Sequence, residues 1–417
     1  MTTRLARLGL LAAAVLGPAA AAQDHRPQWV EAYQSSPADF DFVIPKDMKL
    51  PDEARERLRD RPPVVGTLRM RLTLGASGHA LRIRISNEDG TEPLLVDGAS
   101  VGFAADGFDA RAGTLRPLAF GGKRRITIAA GAPALSDPVD LDAAALDDIV
   151  VSLHLPQSLK LKAFGNQRMA FAAGDQSLSP RLDGGDTIIG RPPVSGALVL
   201  SADPPRVIVA LGDSITDGNR PYAGQLHGWP EQLLRRLVAA GGSDPVTVVN
   251  AGIGGNRVLS TSWGDAALAR FDRDVARVRG VSHVILLEGI NDIGHGGSST
   301  MFGRNPPLDV ADLIAGYEQI IARAHVAGIK VVMGTLTPFG GSTSHSPERE
   351  AQRQAVNQWI RTAGVADAII DFDAAVRDPR NPLHLRSDYD SGDHIHPSEA
   401  GYRAMGDAID LALFDRD

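Results

Sequence analysis

Between residues 65 and 155 apolar and polar positions alternate. Leu68-Arg69-Met70-Arg71-Leu72-Thr73-Leu74 and Leu81-Arg82-Ile83-Arg84-Ile85 change character at every step, the period of a strand with one face in a core and the other in water. Turn signals at residues 75–78, Glu88-Asp89-Gly90, Gly121-Gly122 and Gly131-Ala132-Pro133 punctuate these runs, and further strand-like runs lie at 125–129 and 149–155. With no long helical period between them, they predict a β-sandwich or jelly roll. Arg69, Arg71, Arg82 and Arg84 fall on the outer positions and are expected in solvent, since a half-exposed sheet needs polar residues there. Residues 156–204 are rich in Gly, Pro, Ser and Asp, with room for one or two strands, notably 197–200, so a domain boundary is expected near 200.

After Pro205 the pattern changes. Apolar, β-branched runs at 207–211, 246–250, 284–287, 330–333 and 368–372 have the look of strands buried on both faces. Helical stretches separate them. Trp229-Pro230-Glu231 opens one that runs through Leu237 to a Gly241-Gly242 stop, residues 309–327 form another ending at Gly328, and Ser346-Pro347-Glu348 supplies a cap, a first-position proline and a first-turn acid. A last helix begins near Pro397-Ser398 with Ala400, Met405, Ile409 and Leu413 on one side. The expected class is α/β: a three-layer doubly wound parallel five-stranded sheet preceded by an all-β sandwich or jelly-roll domain.

Composition narrows the chemistry. The 417 residues contain no cysteine, which excludes disulfides, thiol nucleophiles and cysteine-bound zinc. The net charge of −7 with no block of five or six like charges argues against nucleic-acid partners. At the N-terminus, Arg4 and Arg7 precede an apolar stretch over 8–21, and Ala20-Ala21-Ala22 stands before Gln23. That is the layout of a cleaved signal peptide over residues 1–22. The stretch falls short of the roughly 20 residues that span a bilayer, so no stable membrane insertion is expected and the mature chain is expected to be secreted or periplasmic. The implied organisation is 1–22 signal, 23–200 β-domain with connector, and 201–417 α/β domain.

Doubly wound sheets bind ligands at the carboxyl ends of their strands, and four polar segments fall there. Gly212-Asp213-Ser214-Ile215 follows the first α/β run and puts a serine on a strand-to-helix turn. Alone, the Gly-Asp-Ser tripeptide more often marks an ordinary turn with an Asx or serine cap. Asn250-Ala251-Gly252-Ile253-Gly254-Gly255-Asn256 follows the second run, and its glycines let a backbone N–H approach a ligand. Glu288-Gly289-Ile290-Asn291-Asp292 follows the third and offers a side-chain amide, or else a helix cap. Near the C-terminus, Asp390-Ser391-Gly392-Asp393-His394-Ile395-His396-Pro397 places a carboxylate three residues before a histidine. Asp393, His394 and His396 could instead hold a metal, but no partner motif supplies the remaining ligands.

In this order, the four segments resemble the blocks of the SGNH (GDSL-type) hydrolase family over about residues 205–414. The resemblance implies Ser214 as nucleophile, Asp393 and His396 as its triad partners, and an oxyanion hole formed by the N–H groups of Ser214 and Gly255 and the Asn291 amide. It implies no metal and no organic cofactor. Upstream, Trp29, Leu81-Arg82-Ile83-Arg84-Ile85-Ser86-Asn87 with Gly90 and Pro93-Leu94, and the extended Gly212-Asp213-Ser214-Ile215-Thr216-Asp217-Gly218 are similar to a secreted two-domain subgroup. That subgroup is akin to arylesterases and acylhydrolases of bacterial xylan-degrading clusters; Thr335-Leu336-Thr337-Pro338-Phe339 and Asn357-Gln358-Trp359-Ile360 fit it too. The implied activity is a serine esterase removing short acyl groups, acetyl foremost, from a small-molecule or oligosaccharide ester. Asp217 is expected to be a turn residue near Ser214, and His394 carries no assigned role. A glycosidase using a carboxylate pair from Asp213, Asp217, Glu288, Asp292 and Asp393 is the alternative, and a catalytically idle sugar-binding protein is a third reading. Few aromatics lie in the β-domain strands, which favours a structural role for that domain.

Overall fold

The computed structural model describes residues 26–38, 63–161, 165, 167–218, 228–300 and 303–415; the expected signal peptide at 1–22 lies outside them. The N-terminal half consists mainly of two antiparallel sheets. One orders the strands Gln28–Gln34, Val194–Ser201, Gly78–Asn87 and Ala132–Leu135, with Val139–Ala143 also on Gly78–Asn87. The other runs Asp186–Gly190, Gln167–Ala172, Val64–Thr73, Asp148–Leu159, Gly98–Phe103 and Arg116–Pro117. The alternation read from the sequence is realised in both. Leu68, Met70 and Leu72 of one sheet and Leu81, Ile83 and Ile85 of the other are buried in a shared core.

The outer arginines are not solvated as expected. Arg69 is wholly buried and donates to Ser152 Oγ at 2.7 Å and to the carbonyls of Ser179, Pro180, Gln176 and Phe108 at 2.6–3.3 Å. Loops cover this sheet face, and their backbone carbonyls need donors that a covered sheet cannot otherwise provide. Arg71 pairs with Asp148 at 2.7 Å, Arg82 lies over the Trp29 ring, and Arg84 reaches the buried Glu31 at 2.8 Å. The strand Gln28–Gln34 was not anticipated, because Glu31 interrupts its apolar face. Burial pushes the Glu31 carboxyl up, with Arg84 only partly opposing it.

In the C-terminal half the parallel sheet orders Val246–Gly252, Arg206–Gly212, Val281–Leu287, Lys330–Gly334 and Ala368–Ile370. By chain order this is 2-1-3-4-5, so the direction of winding reverses beside the first strand, whose carboxyl end is where doubly wound sheets place their ligands. Helices flank the sheet in two groups. Trp229–Ala240 packs on Glu399–Asp407, which also meets Phe372–Val376, while Val310–Val326 packs against Pro347–Thr362 and Ala267–Phe271. The fifth strand stops at Ile370 because Asp371 caps the helix Phe372–Val376, accepting from Ala374 N. The last helix ends at Asp407, and Leu413 belongs to a separate 3₁₀ turn, Leu411–Phe414, capped by Asp410. Among the described residues no helix is long and apolar enough to cross a membrane.

The halves are stitched together. Glu31 N–H donates to Arg279 O at 3.2 Å, Gln34 Nε2 to Asp274 O at 2.9 Å, and Thr247 Oγ1 to Gly75 O at 2.7 Å. Buried apolar side chains of both halves form one continuous cluster.

Candidate active site

The first parallel strand ends at Gly212, where a Cβ would come within 2.2 Å of Thr216 Oγ1 and 2.3 Å of Leu287 O. Only glycine lets the chain turn this tightly against the third strand. Asp213 then caps the four-residue helix Ser214–Asp217, accepting from Ile215 N at 2.9 Å. Ser214 is thereby the first helical residue, its N–H on the positive end of the turn and its side chain at the carboxyl edge of the sheet.

From the C-terminal segment, His396 Nε2 lies 2.7 Å from Ser214 Oγ, and His396 Nδ1 lies 2.7 Å from Asp393 Oδ2. The other carboxylate oxygen, Oδ1, accepts from the N–H groups of Ile395 and His396 and from Ser391 Oγ at 2.9–3.1 Å. Burial works against the charge of Asp393, but the His396 contact and the backbone donors outweigh it and hold the carboxyl well below the usual range. An ionised Asp393 assigns the proton to Nδ1 and leaves the Nε2 lone pair facing Ser214. His394 does not join this group: its backbone N–H and Nδ1 both go to Asp390, at 3.0 and 2.6 Å, and its φ is +65°. Asp393, His394 and His396 therefore do not converge as metal ligands.

The expected oxyanion donors lie on two neighbouring segments. Gly255 has a φ of +71°, and a Cβ there would come within 2.1 Å of Trp263 Cδ1. The N–H of the preceding Gly254 is engaged by the Asp217 carboxylate, which favours Gly255 over Gly254 as the donor. Asn291, in the first turn of helix Ile290–His295, donates one amide hydrogen to Asn256 O at 3.0 Å. Its Nδ2 carries a second.

Beneath these groups sits Arg270, which the sequence did not single out. Its guanidinium is fully buried and donates to Gly212 O at 3.0 Å, Ala251 O at 2.6 Å, Asn256 Oδ1 at 2.9 Å and Asp274 Oδ2 at 3.0 Å. One side chain thus ties the end of the strand before Ser214 to the loop that holds Gly255. Asn250 adds a second tie, donating to Thr216 O at 2.8 Å.

The carboxylates counted toward a glycosidic acid–base pair are not free at a rim. Asp213, Glu288 and Asp292 are buried below the site, and burial pushes their carboxyls up, Asp213 to about 7 and Asp292 to about 6. Asp292 accepts from Val258 N and Leu259 N at 2.9 and 3.1 Å, so it braces the loop after Asn256. Asp217 is paired with Arg191, and Asp393 with His396.

Residues 210–404 match the model of the GDSL-like Lipase/Acylhydrolase family. This stretch is a GDSL-like lipase/acylhydrolase family domain. The GDSL-like domain contains Ser214, Gly255, Asn291, Asp393 and His396. Among solved structures, the chain is similar to a GDSL-family lipolytic protein from Desulfitobacterium hafniense at 19% identity, over 48% of this chain and 96% of that one, with a TM-score of 0.36. It is similar to an acetyl xylan esterase from Geobacillus stearothermophilus at 21% identity, over 51% of this chain and 95% of that one, with a TM-score of 0.39. A GDSL-like lipase from Bacteroides thetaiotaomicron matches at 19% identity, over 50% and 87%, with a TM-score of 0.36. No curated protein matches the chain significantly.

Proposed function

We propose that the protein is an exported serine esterase that removes short acyl groups, acetyl foremost, from oligosaccharide or polysaccharide esters. One observation carries the ester chemistry: Ser214 Oγ, His396 and Asp393 stand in a single line of hydrogen bonds, each 2.7 Å long. His396 Nε2 takes the Ser214 proton as Oγ attacks the ester carbonyl, and the oxyanion is held by the N–H groups of Ser214 and Gly255 and the second hydrogen of Asn291 Nδ2. His396 then gives the proton to the departing alcohol. Water repeats both steps on the acyl-enzyme, with His396 as base, and releases the acid. The chain's own side chains supply every proton position in this sequence.

The preference for short acyl groups on a sugar is supported by the resemblance of the upstream segments to the secreted xylan-cluster subgroup, and export by the layout of residues 1–22. The test is hydrolysis of p-nitrophenyl esters of graded chain length together with acetate release from acetylated xylan, with Ser214→Ala as control. Activity confined to acetyl and propionyl esters and lost in the variant is expected. Flat activity from acetate to laurate removes the acyl-length claim. Full activity in Ser214→Ala, or no labelling of Ser214 by a fluorophosphonate, removes the serine mechanism.

A further inference from the structure

The support of the active site crosses from one half of the molecule to the other. Arg191 lies between the strands Asp186–Gly190 and Val194–Ser201 of the β-domain, yet its guanidinium is buried against the GDSL-like domain. Nη2 donates to Asp217 Oδ2 at 3.1 Å and Nη1 faces Oδ1 at 3.4 Å, with side chains only 7% and 13% exposed. Nη1 also lies 3.5 Å from Gly252 O and from Ser35 Oγ.

Asp217 occupies a junction. It closes the helical turn that Ser214 opens, and its carboxylate accepts the Gly254 N–H. The two segments are in such close contact that a Cβ on Gly252 would come within 2.3 Å of Asp217 N. One carboxylate therefore joins the nucleophile turn to the residue before Gly255, and the cation that fixes this carboxylate comes from outside the GDSL-like domain. A buried ion pair of this kind contributes little net stability, because desolvation offsets the attraction, but it fixes geometry.

We propose that Arg191 is a positioning residue of the oxyanion hole: through Asp217 it holds the Gly254-Gly255 backbone against the Ser214 turn, so that the β-domain takes part in catalysis. This deepens the esterase reading and rests on it. Burial pushes the Asp217 carboxyl up and Arg191 is the first cation opposing it. Without the guanidinium the carboxyl is driven toward its neutral form, a weaker acceptor for the Gly254 N–H. The Gly255 amide is then free to drift. A misplacement of about 1 Å in such a group can cost on the order of 10²-fold in rate.

The experiment uses the full chain and the variants Arg191→Met, Arg191→Lys, Asp217→Asn and Arg191→Met/Asp217→Asn. It measures kcat and KM for p-nitrophenyl acetate, the inhibition constant of phenylboronic acid, and the melting temperature. The boronate adduct on Ser214 places an oxygen where the oxyanion forms, so its affinity reads the hole directly. Arg191→Met is expected to lower kcat about 10- to 100-fold with KM within about 3-fold of wild type, and to weaken boronate in parallel. Arg191→Lys should recover part of both, and the double variant should be no worse than its worse parent. A folded Arg191→Met enzyme with wild-type kcat and boronate affinity overturns the proposal, as do effects that multiply in the double variant. If Arg191→Met does not fold, the nearly isosteric Asp217→Asn carries the test, and unchanged kcat in it overturns the proposal equally. A wild type that fluorophosphonate does not label at Ser214 refutes the esterase reading. Labelled wild type with insensitive Arg191 and Asp217 variants refutes only the positioning role.

Discussion

Asp393 accepts from His396 Nδ1, two backbone N–H groups and Ser391 Oγ. Such a carboxylate cannot be replaced by an amide without changing which imidazole nitrogen carries the proton. Asp393→Asn is expected to lower kcat by up to about 10⁴-fold while leaving the fold intact, checked by p-nitrophenyl acetate kinetics beside a melting curve. In the proposed mechanism, Asn291→Ala removes a donor that acts on developing charge and not on bound substrate. It should therefore lower kcat by about 10²- to 10³-fold with little change in KM; an equal rise in KM instead would mean that Asn291 binds the ground state. These residues were legible because each sits in a short segment whose neighbours reveal it, as Asp393 does three positions before His396. Arg270 and Arg191 were not, since their partners Gly212 and Asp217 are 58 and 26 positions away in the chain. An arginine whose role is set by distant carbonyls leaves no local pattern.

Among elements, the five parallel strands announced themselves as continuous apolar runs because both of their faces are buried, and the antiparallel strands as alternations because an outer face tolerates polar side chains. The alternation could not tell water from a covering loop, which is why Arg69 looked solvated and is not. Nor could it reveal Gln28–Gln34, whose buried Glu31 is explained only by Arg84 on another strand. The turns between strands carry the site's tightest demands. Gly255 combines left-handed backbone with a Trp263 ring 2.1 Å from where a Cβ would stand, whereas Gly107, at φ +57°, has nothing within 4 Å. Gly255→Ala should thus cost the strain of a left-handed residue plus overpacking of about 1–3 kcal/mol, and lower kcat as well. Gly107→Ala should cost only the backbone strain, about 1–2 kcal/mol, and leave kcat at the wild-type level. Urea denaturation and steady-state kinetics of the two variants check the contrast; comparable kcat losses in both would show that the Gly255 turn has no special link to catalysis.

At the scale of the whole molecule, the GDSL-like domain is built over a buried layer of acids. Burial raises the carboxyls of Asp213, Asp217, Glu231, Glu288 and Asp292, with Arg270 opposing it at Asp213 and Glu288 and Arg257 at Asp292. Glu288 Oε2 lies 3.7 Å from Arg270 Nη2, but burial and the neighbouring Asp213 and Asp292 outweigh that cation and hold its carboxyl well above the ordinary value. Asp213 goes from its ordinary 3.8 to about 7, so between those values the folded chain holds a proton that the unfolded chain has released. The folded state then binds more protons than the unfolded one, and stability falls as pH rises through this window. Asp393 acts with the opposite sign, but its carboxyl is depressed, so its contribution is lost only as pH falls below the ordinary 3.8. Above about pH 4 the raised acids outnumber His295, whose imidazole burial lowers to about 4 and which acts with the opposite sign, so the melting temperature should decline from pH 5 to pH 8, the fall easing as pH passes the folded values of Asp292, about 6, and Asp213, about 7. Asp213→Asn keeps an oxygen for the Ile215 N–H and removes the titration, so its melting temperature should vary less over the same range. A wild-type melting temperature that rises from pH 5 to pH 8, or a variant with the wild-type slope, would show that Asp213 is charged in the folded protein and that Arg270 outweighs its burial.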